Sequence, residues 1–405
     1  MEKSYGLVLE GGGGKGAFQI GVWQALRELN IEIAAVAGTS VGALNAAFIV
    51  QDKFDEAYKL WSHMSPDLVF TGDNEIYNEL VTFNIDFKNW GRYAEYLKKT
   101  LSNRGLDVEP LHELIIKHVD EKLIRESPIT FGLVTISLTD KKPIKIYVDD
   151  IPEGEIANYL LWSSFLPMFK LDNGEDKRFL DGGFYDNLPL DMVYQLGHKD
   201  IISVELKSFG IKQPLRAKDV NIISIIPSDD IGSPLDFTEE RSQKNLKMGY
   251  LDALKAFGIY EGFNYYLREI PDERYFIDSL LELSEKQIKE MAQEIGVQGG
   301  SSQRVLFERL IPAFARQFNL DRNATYKEII LKFTELLAVT VGVERLRTYT
   351  FKEFRQEILA RLDQTDFRSF DYNSIPAFFR RSRVIKQSFK DELILDWARI
   401  FLNRD

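Results

Sequence analysis

Residues 33–50, IAAVAGTSVGALNAAFIV, are the stretch from which the fold can be predicted. They belong to a long run without charged side chains, residues 33–51, whose length alone would suit a membrane-spanning helix. Two glycines, a threonine, a serine and an asparagine lie near the middle of the run, where hydrocarbon would penalise the polar groups and the loose backbone. We therefore predict a buried strand at residues 33–37, a turn around Ser40 and a buried helix at residues 41–50.

The segment before this unit predicts a similar strand and helix. Residues 5–9 form a short apolar stretch that ends in glycines, and the apolar side chains of residues 17–29 cluster on one helical face. A β-α-β-α start of this kind is typical of a parallel sheet with helices on its faces. Further strands are predicted at residues 129–138, 144–148, 201–206 and 220–226, with a hairpin turn at residues 139–143.

The other long stretches indicate helices. Residues 52–126 carry charged helical faces and few strand signals, so we predict a helical insertion or cap there. Helical periods with many charges return after about residue 235 and continue toward the C-terminus. The expected organisation is a first domain at residues 1–265 and an all-helical C-terminal region at residues 266–405.

Charge and composition exclude several classes of function. A net charge of -11 and a pI near 5.2 argue against a nucleic-acid partner, because such binding rests on basic side chains that neutralise phosphates. An anionic membrane would repel the same charge, so lipid contact would require a local apolar or basic patch. The absence of cysteine removes disulfides, thiolate metal sites and cysteine nucleophiles. The first residues lack an apolar segment, and we expect a cytoplasmic protein that can contact membranes peripherally.

A run of glycines, GGGGKG at residues 11–16, lies between the first predicted strand and helix. Glycines there allow several amide N–H groups to converge beside the positive end of a helix. Such a nest can bind a phosphate or stabilise an oxyanion, and four consecutive glycines exceed what a tight turn needs.

The glycine run also matches the dinucleotide-binding pattern G-x-G-x-x-G through Gly11, Gly13 and Gly16. That interpretation requires an acidic residue at the end of the second strand, yet Glu32 lies at its beginning. A Walker phosphate loop fits less well, because Gly16 stands where a serine or threonine would hold magnesium.

A second motif, GTSVG at residues 38–42, lies at the predicted strand-to-helix turn. Flanking glycines leave room for the sharp turn that exposes a nucleophilic serine and frees the next amide for an oxyanion. A serine that merely caps the helix would explain Ser40 but not both glycines. Ser40 is therefore the candidate nucleophile, with the amide of Val41 as a candidate oxyanion donor.

A serine nucleophile needs a base, and none of the four histidines lies in a recognisable motif. His63, His112, His118 and His198 are each expected to be structural or solvated. Asp181, in the motif DGG at residues 181–183, is preceded by an apolar strand end and is the alternative base. A shielded carboxylate with a raised pKa could accept the serine proton, although Asp-Gly-Gly also occurs in simple hairpin turns.

The three motifs, in this order, resemble those of the patatin-like phospholipases over residues 5–230. The stretch WSSFLPMF at residues 162–169 and the run Asn187-Leu188-Pro189 are also similar to segments of that family. The resemblance implies a three-layer α/β/α fold with a mostly parallel central sheet and a Ser40–Asp181 dyad. It also implies an oxyanion hole formed by Gly11, Gly12, Gly13, Gly14 and Val41. The residues that would support the motifs are Lys15, Gly16, Gly38, Gly42, Gly182 and Gly183.

The function implied by the resemblance is hydrolysis of fatty-acyl esters of phospholipids by a serine hydrolase, through an acyl-enzyme and without cofactor or metal. Residues 1–265 would form the catalytic domain. Lys15 would either aim its charge at a lipid phosphate or lie solvated in the first helical turn. Three alternatives stay open at this stage: a nucleotide-binding module, a thioesterase or small-ester hydrolase, and a non-catalytic helical interaction protein.

Overall fold

The computed structural model describes residues 3–71, 106–167, 169–170, 179–294 and 300–362. The chain divides into two compact units, Met1–Phe257 and Gly258–Asp405. Residues 72–105 of the predicted insertion and residues 363–405 of the C-terminal region lie outside the described residues.

The first unit is built on a mostly parallel sheet, as the sequence predicts. Its strands are β1 Ser4–Leu9, β2 Glu32–Thr39, β3 Leu106–Asp107, β4 Thr130–Ser137, β5 Lys142–Tyr147, β6 Phe169–Lys170, β7 Phe179–Asp181, β8 Asp200–Val204 and β9 Asn221–Ile225. The order in the main sheet is β5-β4-β2-β1-β8-β9, with β7 also paired to β4, while β3 and β6 form a separate two-stranded sheet. β5 and β7 run antiparallel to β4, and the other neighbours in the main sheet are parallel.

Helices cover both faces of this sheet. The helices of this unit are α1 Ala17–Glu28, α2 Val41–Val50, α3 Phe54–Ser62, α4 Glu109–His118, α5 Glu121–Glu126, α6 Ile156–Ser163, α7 Leu190–Gln195 and α8 Glu239–Ala256. α7 packs through Met192 and Val193 on Val8, Ala37 and Ile201 of the strands. α1 packs on α8 so closely that a Cβ atom at Gly21 would lie 1.9 Å from the carbonyl oxygen of Leu246. The arrangement is the expected three-layer α/β/α fold.

The uncharged run forms β2, a turn and α2, which confirms the predicted buried strand and helix. Among the helices of the described ranges, none has the length and apolar character needed to cross a bilayer.

The register along β4 brings two distant parts of the chain together. Thr39, the last residue of β2, pairs with Val134 of β4. The next residue of β4, Thr135, pairs with Asp181 at the end of β7. β5 pairs with one edge of β4, so β7 pairs with the other edge, at the residues of β4 that follow those paired with β2. Ser40, which follows Thr39, therefore leaves the sheet beside Asp181.

The second unit is largely helical. Its helices are α9 Glu273–Leu281, α10 Glu285–Glu294, α11 Ser302–Val305, α12 Ile311–Gln317, α13 Tyr326–Thr340 and α14 Phe351–Leu362. Buried side chains that include Phe276, Leu310, Leu337 and Phe354 form its core. The unit also contains a parallel pair of short strands, β10 Tyr266–Arg268 and β11 Thr348–Thr350, which the prediction of an all-helical region did not include.

Candidate active site

Ser40 occupies a strained turn between β2 and α2. Its backbone has φ 56° and ψ −128°, a positive φ that is unfavourable for a residue with a Cβ atom. The flanking glycines are required by close contacts: a Cβ atom at Gly38 would lie 2.4 Å from the carbonyl carbon of Gly42, and one at Gly42 would lie 2.3 Å from the carbonyl oxygen of Leu9. The turn has the geometry of a nucleophile elbow, which presents a serine at the end of a parallel strand.

Asp181 ends β7 and is only 4% exposed. Its carboxylate accepts a hydrogen bond from the amide of Gly183 at 2.7 Å, and it lies beside the hydroxyl of Ser40, close enough for that hydroxyl to favour the charged form. Burial raises the pKa of Asp181 to about 6, although the Ser40 hydroxyl and the Gly183 amide both act to lower it. The side chain is thus a hydrogen-bonded carboxylate whose proton affinity is matched to a pH near neutrality.

Neighbouring side chains brace the backbone of the Ser40 turn. The amide of Ser40 donates to Oγ of Ser163 at 3.0 Å, and Ser163 Oγ donates to the carbonyl oxygen of Val134 at 2.7 Å. On the other side, Oγ1 of Thr39 donates to the carbonyl oxygen of Asp186 at 2.8 Å. Ser163 lies in the stretch at residues 162–169, although the sequence did not reveal its contact with the Ser40 turn.

The glycine loop offers fewer free amides than the sequence predicts. The amide of Gly11 donates to the carbonyl oxygen of Asn187 at 3.1 Å, and that of Gly14 donates to the carbonyl oxygen of Pro234 at 2.8 Å. The N–H groups of these two predicted oxyanion donors thus already donate to other parts of the chain. Within the described part of the chain, no hydrogen bond from the amides of Gly12, Gly13 or Val41 is found.

Lys15 is not solvated in the first helical turn, which was one of the two environments considered from the sequence. The residue is buried, and Nζ lies 3.4 Å from the carbonyl oxygens of both Leu206 and Lys207. Burial lowers the pKa of this ammonium group. Lys15 therefore connects the glycine loop to the segment after β8, and it is not among the residues that line the pocket described below.

An apolar pocket opens beside Ser40 and Asp181. Val41, Leu44 and Phe48 on one face of α2, with Gln51 just after that helix, form part of its wall. One face of α4 forms another part, with Leu111, Leu114, Ile115 and His118. The cavity volume is about 160 Å³, many times the roughly 10–15 Å³ that one water molecule needs. The pocket can therefore hold a chain of apolar groups.

The pocket brings together part of the predicted site. The predicted residues on its lining are Gly11, Gly12, Gly13, Ser40, Val41, Asp181 and Gly183. The others lie outside this lining and support it, namely Gly14, Lys15, Gly16, Gly38, Gly42 and Gly182. Gly182, for example, lies against β4, where an added Cβ atom would be 2.2 Å from the carbonyl oxygen of Val134.

Histidine side chains do not enter the Ser40–Asp181 contact in the described structure. His63 contacts the carbonyl oxygen of Lys59, and His112 lies 3.8 Å from the carboxylate of Glu109. His118 lines the pocket, but its Nδ1 lies 3.3 Å from Glu56. The carboxylate of Asp181 is therefore the titratable partner of Ser40 in the structure.

Comparison with known proteins gives a family for this region. A family model described as patatin-like phospholipase matches residues 7–194. We therefore identify residues 7–194 as a patatin-like phospholipase domain, which confirms the resemblance drawn from the motifs.

Curated relatives match about half of the chain at low identity. A lysophospholipase of Mycosarcoma maydis is 25% identical over 216 residues, which are 52% of this chain and 10% of that protein. The neuropathy target esterase of Drosophila melanogaster is 24% identical over 209 residues, covering 51% of this chain and 13% of the relative. A patatin-like phospholipase domain-containing protein of Caenorhabditis elegans is 24% identical over 203 residues, or 50% and 14% of the two chains. Two of these names denote phospholipases and the third an esterase, and the match spans only about a tenth of the relatives' lengths.

Solved structures show a more distant likeness. VipD of Legionella pneumophila aligns with 99% of this chain and 90% of its own, at 16% identity and a TM-score of 0.38. ExoU of Pseudomonas aeruginosa, in its complex with SpcU, aligns over 98% and 76%, at 16% identity and a TM-score of 0.31. The fold assignment therefore rests on the sheet order and the family match.

Proposed function

We propose that this chain hydrolyses fatty-acyl esters of phospholipids with Ser40 as nucleophile and Asp181 as base. The observation that carries the proposal is the position of the Ser40 hydroxyl beside a buried carboxylate whose pKa burial raises to about 6. A base of this strength is ionised at neutral pH and still binds a proton well enough to take it from a hydroxyl in the transition state.

The first half-reaction makes an acyl-enzyme. Ser40 Oγ attacks the ester carbonyl carbon while its proton passes to Asp181, and the carbonyl oxygen becomes a tetrahedral oxyanion. The free amides of Gly12, Gly13 and Val41 are the proposed donors to that oxygen. When the intermediate collapses, the carbon–oxygen bond to the alcohol breaks and Asp181 returns the proton to the leaving alcohol.

The second half-reaction uses water in the place of the serine hydroxyl. Asp181 takes a proton from the water as it attacks the acyl carbon, and the fatty acid leaves as the proton returns to Ser40 Oγ. Each proton taken by Asp181 is given back within the same half-reaction, so the dyad completes a cycle without a cofactor.

The apolar pocket supports a fatty-acyl substrate. We propose that the acyl chain extends from Ser40 along α2, a helix of 10 residues and therefore about 15 Å long. Leu111 and Ile115 of α4 belong to the predicted cap at residues 52–126, which supports a role for that segment as a wall of the acyl site. We propose residues 1–265 as the catalytic domain, and we assign no role to the helices that follow.

The test is turnover of p-nitrophenyl esters and of lysophosphatidylcholine by the full chain and two variants. Ser40→Ala should lose activity by several orders of magnitude, and Asp181→Asn should lose it nearly as completely, because the dyad acts as one unit. Circular dichroism and urea unfolding establish that both variants fold. Retained turnover by a folded Ser40→Ala protein would refute the proposal, whereas p-nitrophenyl ester turnover without release of fatty acid from the lipid would favour a non-lipid esterase.

A further inference from the structure

The segment that follows β8 is held in place by Glu10 and Lys15, the two residues that flank the four consecutive glycines 11–14. The buried carboxylate of Glu10 accepts hydrogen bonds from the amides of Leu206, at 2.5 Å, and Ser208, at 3.3 Å. Nζ of Lys15 lies near the carbonyl oxygens of Leu206 and Lys207. Glu10 and Lys15 thus hold residues 206–208 in a defined position against the glycine loop.

The same segment contains an unfavourable backbone conformation. Lys207 has φ 48°, in the left-handed region that residues with a Cβ atom avoid. Its side chain reaches back to the carbonyl oxygen of Pro227 at 2.6 Å. Strained residues of this kind persist where the surrounding structure imposes them, and they concentrate at functional sites. Here the strain directly precedes Ser208.

The hydroxyl of Ser208 points to a function for this arrangement. Its Oγ is buried and has no hydrogen-bond partner within the described residues. Ser208 lines the same pocket as Ser40 and Asp181. A Cβ atom at Gly12 would lie 2.4 Å from Ser208 Oγ, so with a carbon–carbon bond of about 1.5 Å the hydroxyl is within about 4 Å of the Gly12 Cα.

A buried hydroxyl without a partner is unfavourable, and each native instance calls for an explanation. A bound group that accepts a hydrogen bond would supply the partner that the protein does not. A serine hydroxyl rotates freely about its Cβ–Oγ bond, so it can turn its hydrogen toward such an acceptor.

We propose that Ser208 is a further catalytic residue, whose hydroxyl donates a hydrogen bond to the ester carbonyl oxygen as that oxygen becomes an oxyanion. The proposal rests on the proposed function, and it adds a side-chain donor to the amides of Gly12 and Gly13. Glu10 and Lys15 are positioning residues in this arrangement, because they fix the segment that carries the donor. No additional bond is made or broken, since the hydroxyl keeps its proton throughout.

The test is the steady-state kinetics of Ser208→Ala with a p-nitrophenyl ester of a fatty acid, which contains an acyl group and lacks glycerol and phosphate. Loss of an oxyanion donor should lower kcat by about 10²-fold and leave KM within a factor of about two, because the contact strengthens only in the transition state. The Tm of the unliganded variant should equal or exceed that of the wild type, since the removed hydroxyl has no partner.

Ser224→Ala is the matched control. Its hydroxyl pairs with that of Ser203 at 3.0 Å, outside the pocket lining, and its removal should leave kcat unchanged. An unchanged kcat in Ser208→Ala, or a raised KM alone, would overturn the assignment to the oxyanion. A fall in kcat together with a lowered Tm would also overturn it, because that result describes a structural hydroxyl. Ser40→Ala in the same assay separates the two proposals. If this variant is active, the assignment of Ser40 as nucleophile is wrong. If it is inactive while the kcat of Ser208→Ala equals that of the wild type, only the proposed role of Ser208 fails.

Discussion

Asp181→Asn should make the folded protein more stable at neutral pH while it abolishes activity. The pKa of Asp181 is raised from 3.8 to about 6 by burial. Between these values the folded state holds a proton that the unfolded chain has lost, so the free energy of unfolding of the wild type falls as the pH rises through this window. An asparagine does not titrate, so the variant does not lose this free energy of unfolding as the pH rises.

The size of the effect follows from the displacement of the pKa. At about 1.4 kcal/mol per pH unit, the shift from 3.8 to about 6 corresponds to about 3 kcal/mol, and the buried position of Asp181 leaves little solvent to screen it. About 2 kcal/mol of that difference should develop between pH 4.5 and pH 8, because the unfolded-state group is already mostly ionised at the lower pH. The stability of Asp181→Asn relative to wild type should therefore rise by about this amount across the interval.

Urea unfolding at the two pH values measures the difference, with fluorescence of the buried Trp23 and Trp61 reporting on the first unit. Asp219→Asn is a control for which the stability change should have the opposite sign. A hydrogen bond with Lys199 lowers the pKa of the exposed Asp219 carboxylate, so removing its charge should destabilise the protein, and only at the higher pH. A relative stability of Asp181→Asn that stays constant or falls as the pH rises would refute the reasoning about the buried base.

Three further results are expected. The kcat/KM of the wild type should fall tenfold per pH unit below about pH 6 as Asp181 gains a proton, and a profile that is flat to pH 5 would show that another group is the base. Gly42→Ala should cost about 3 kcal/mol or prevent folding, since its Cβ atom would lie 2.3 Å from a backbone oxygen, and an unfolding free energy equal to wild type would contradict that contact. Thr39→Val should cost about 1 kcal/mol and lower kcat because it removes the hydrogen bond to Asp186, whereas Thr39→Ser should keep both values, and equal behaviour of the two variants would assign the effect to packing.

The parts of the fold predicted well are those encoded locally. The apolar run at residues 33–50 requires burial wherever it lies, and small residues around Ser40 mark the turn, so β2 and α2 follow from sequence alone. The strands β10 and β11 have three residues each, too few for an alternating pattern to stand out from helical surroundings.

The arrangement of the site depends on long-range contacts that no local pattern encodes. Ser40 and Asp181 could each be placed at a strand end, but their meeting depends on the pairing of β7 to the edge of β4 beyond β2. Lys15 contacts carbonyl oxygens 191 and 192 residues away, so its burial could not be read from its neighbours. Which glycine amides are hydrogen-bonded likewise depends on the carbonyl oxygens of Asn187 and Pro234, which are far away in the sequence.

Reaction of the full chain with a fluorophosphonate, followed by mass spectrometry of its peptides, tests the nucleophile and its base most directly. The account predicts one covalent adduct on the peptide that contains Ser40, no adduct in Ser40→Ala, and labelling of Asp181→Asn slower by orders of magnitude. An adduct on another serine, or equal labelling rates for the wild type and Asp181→Asn, would contradict it.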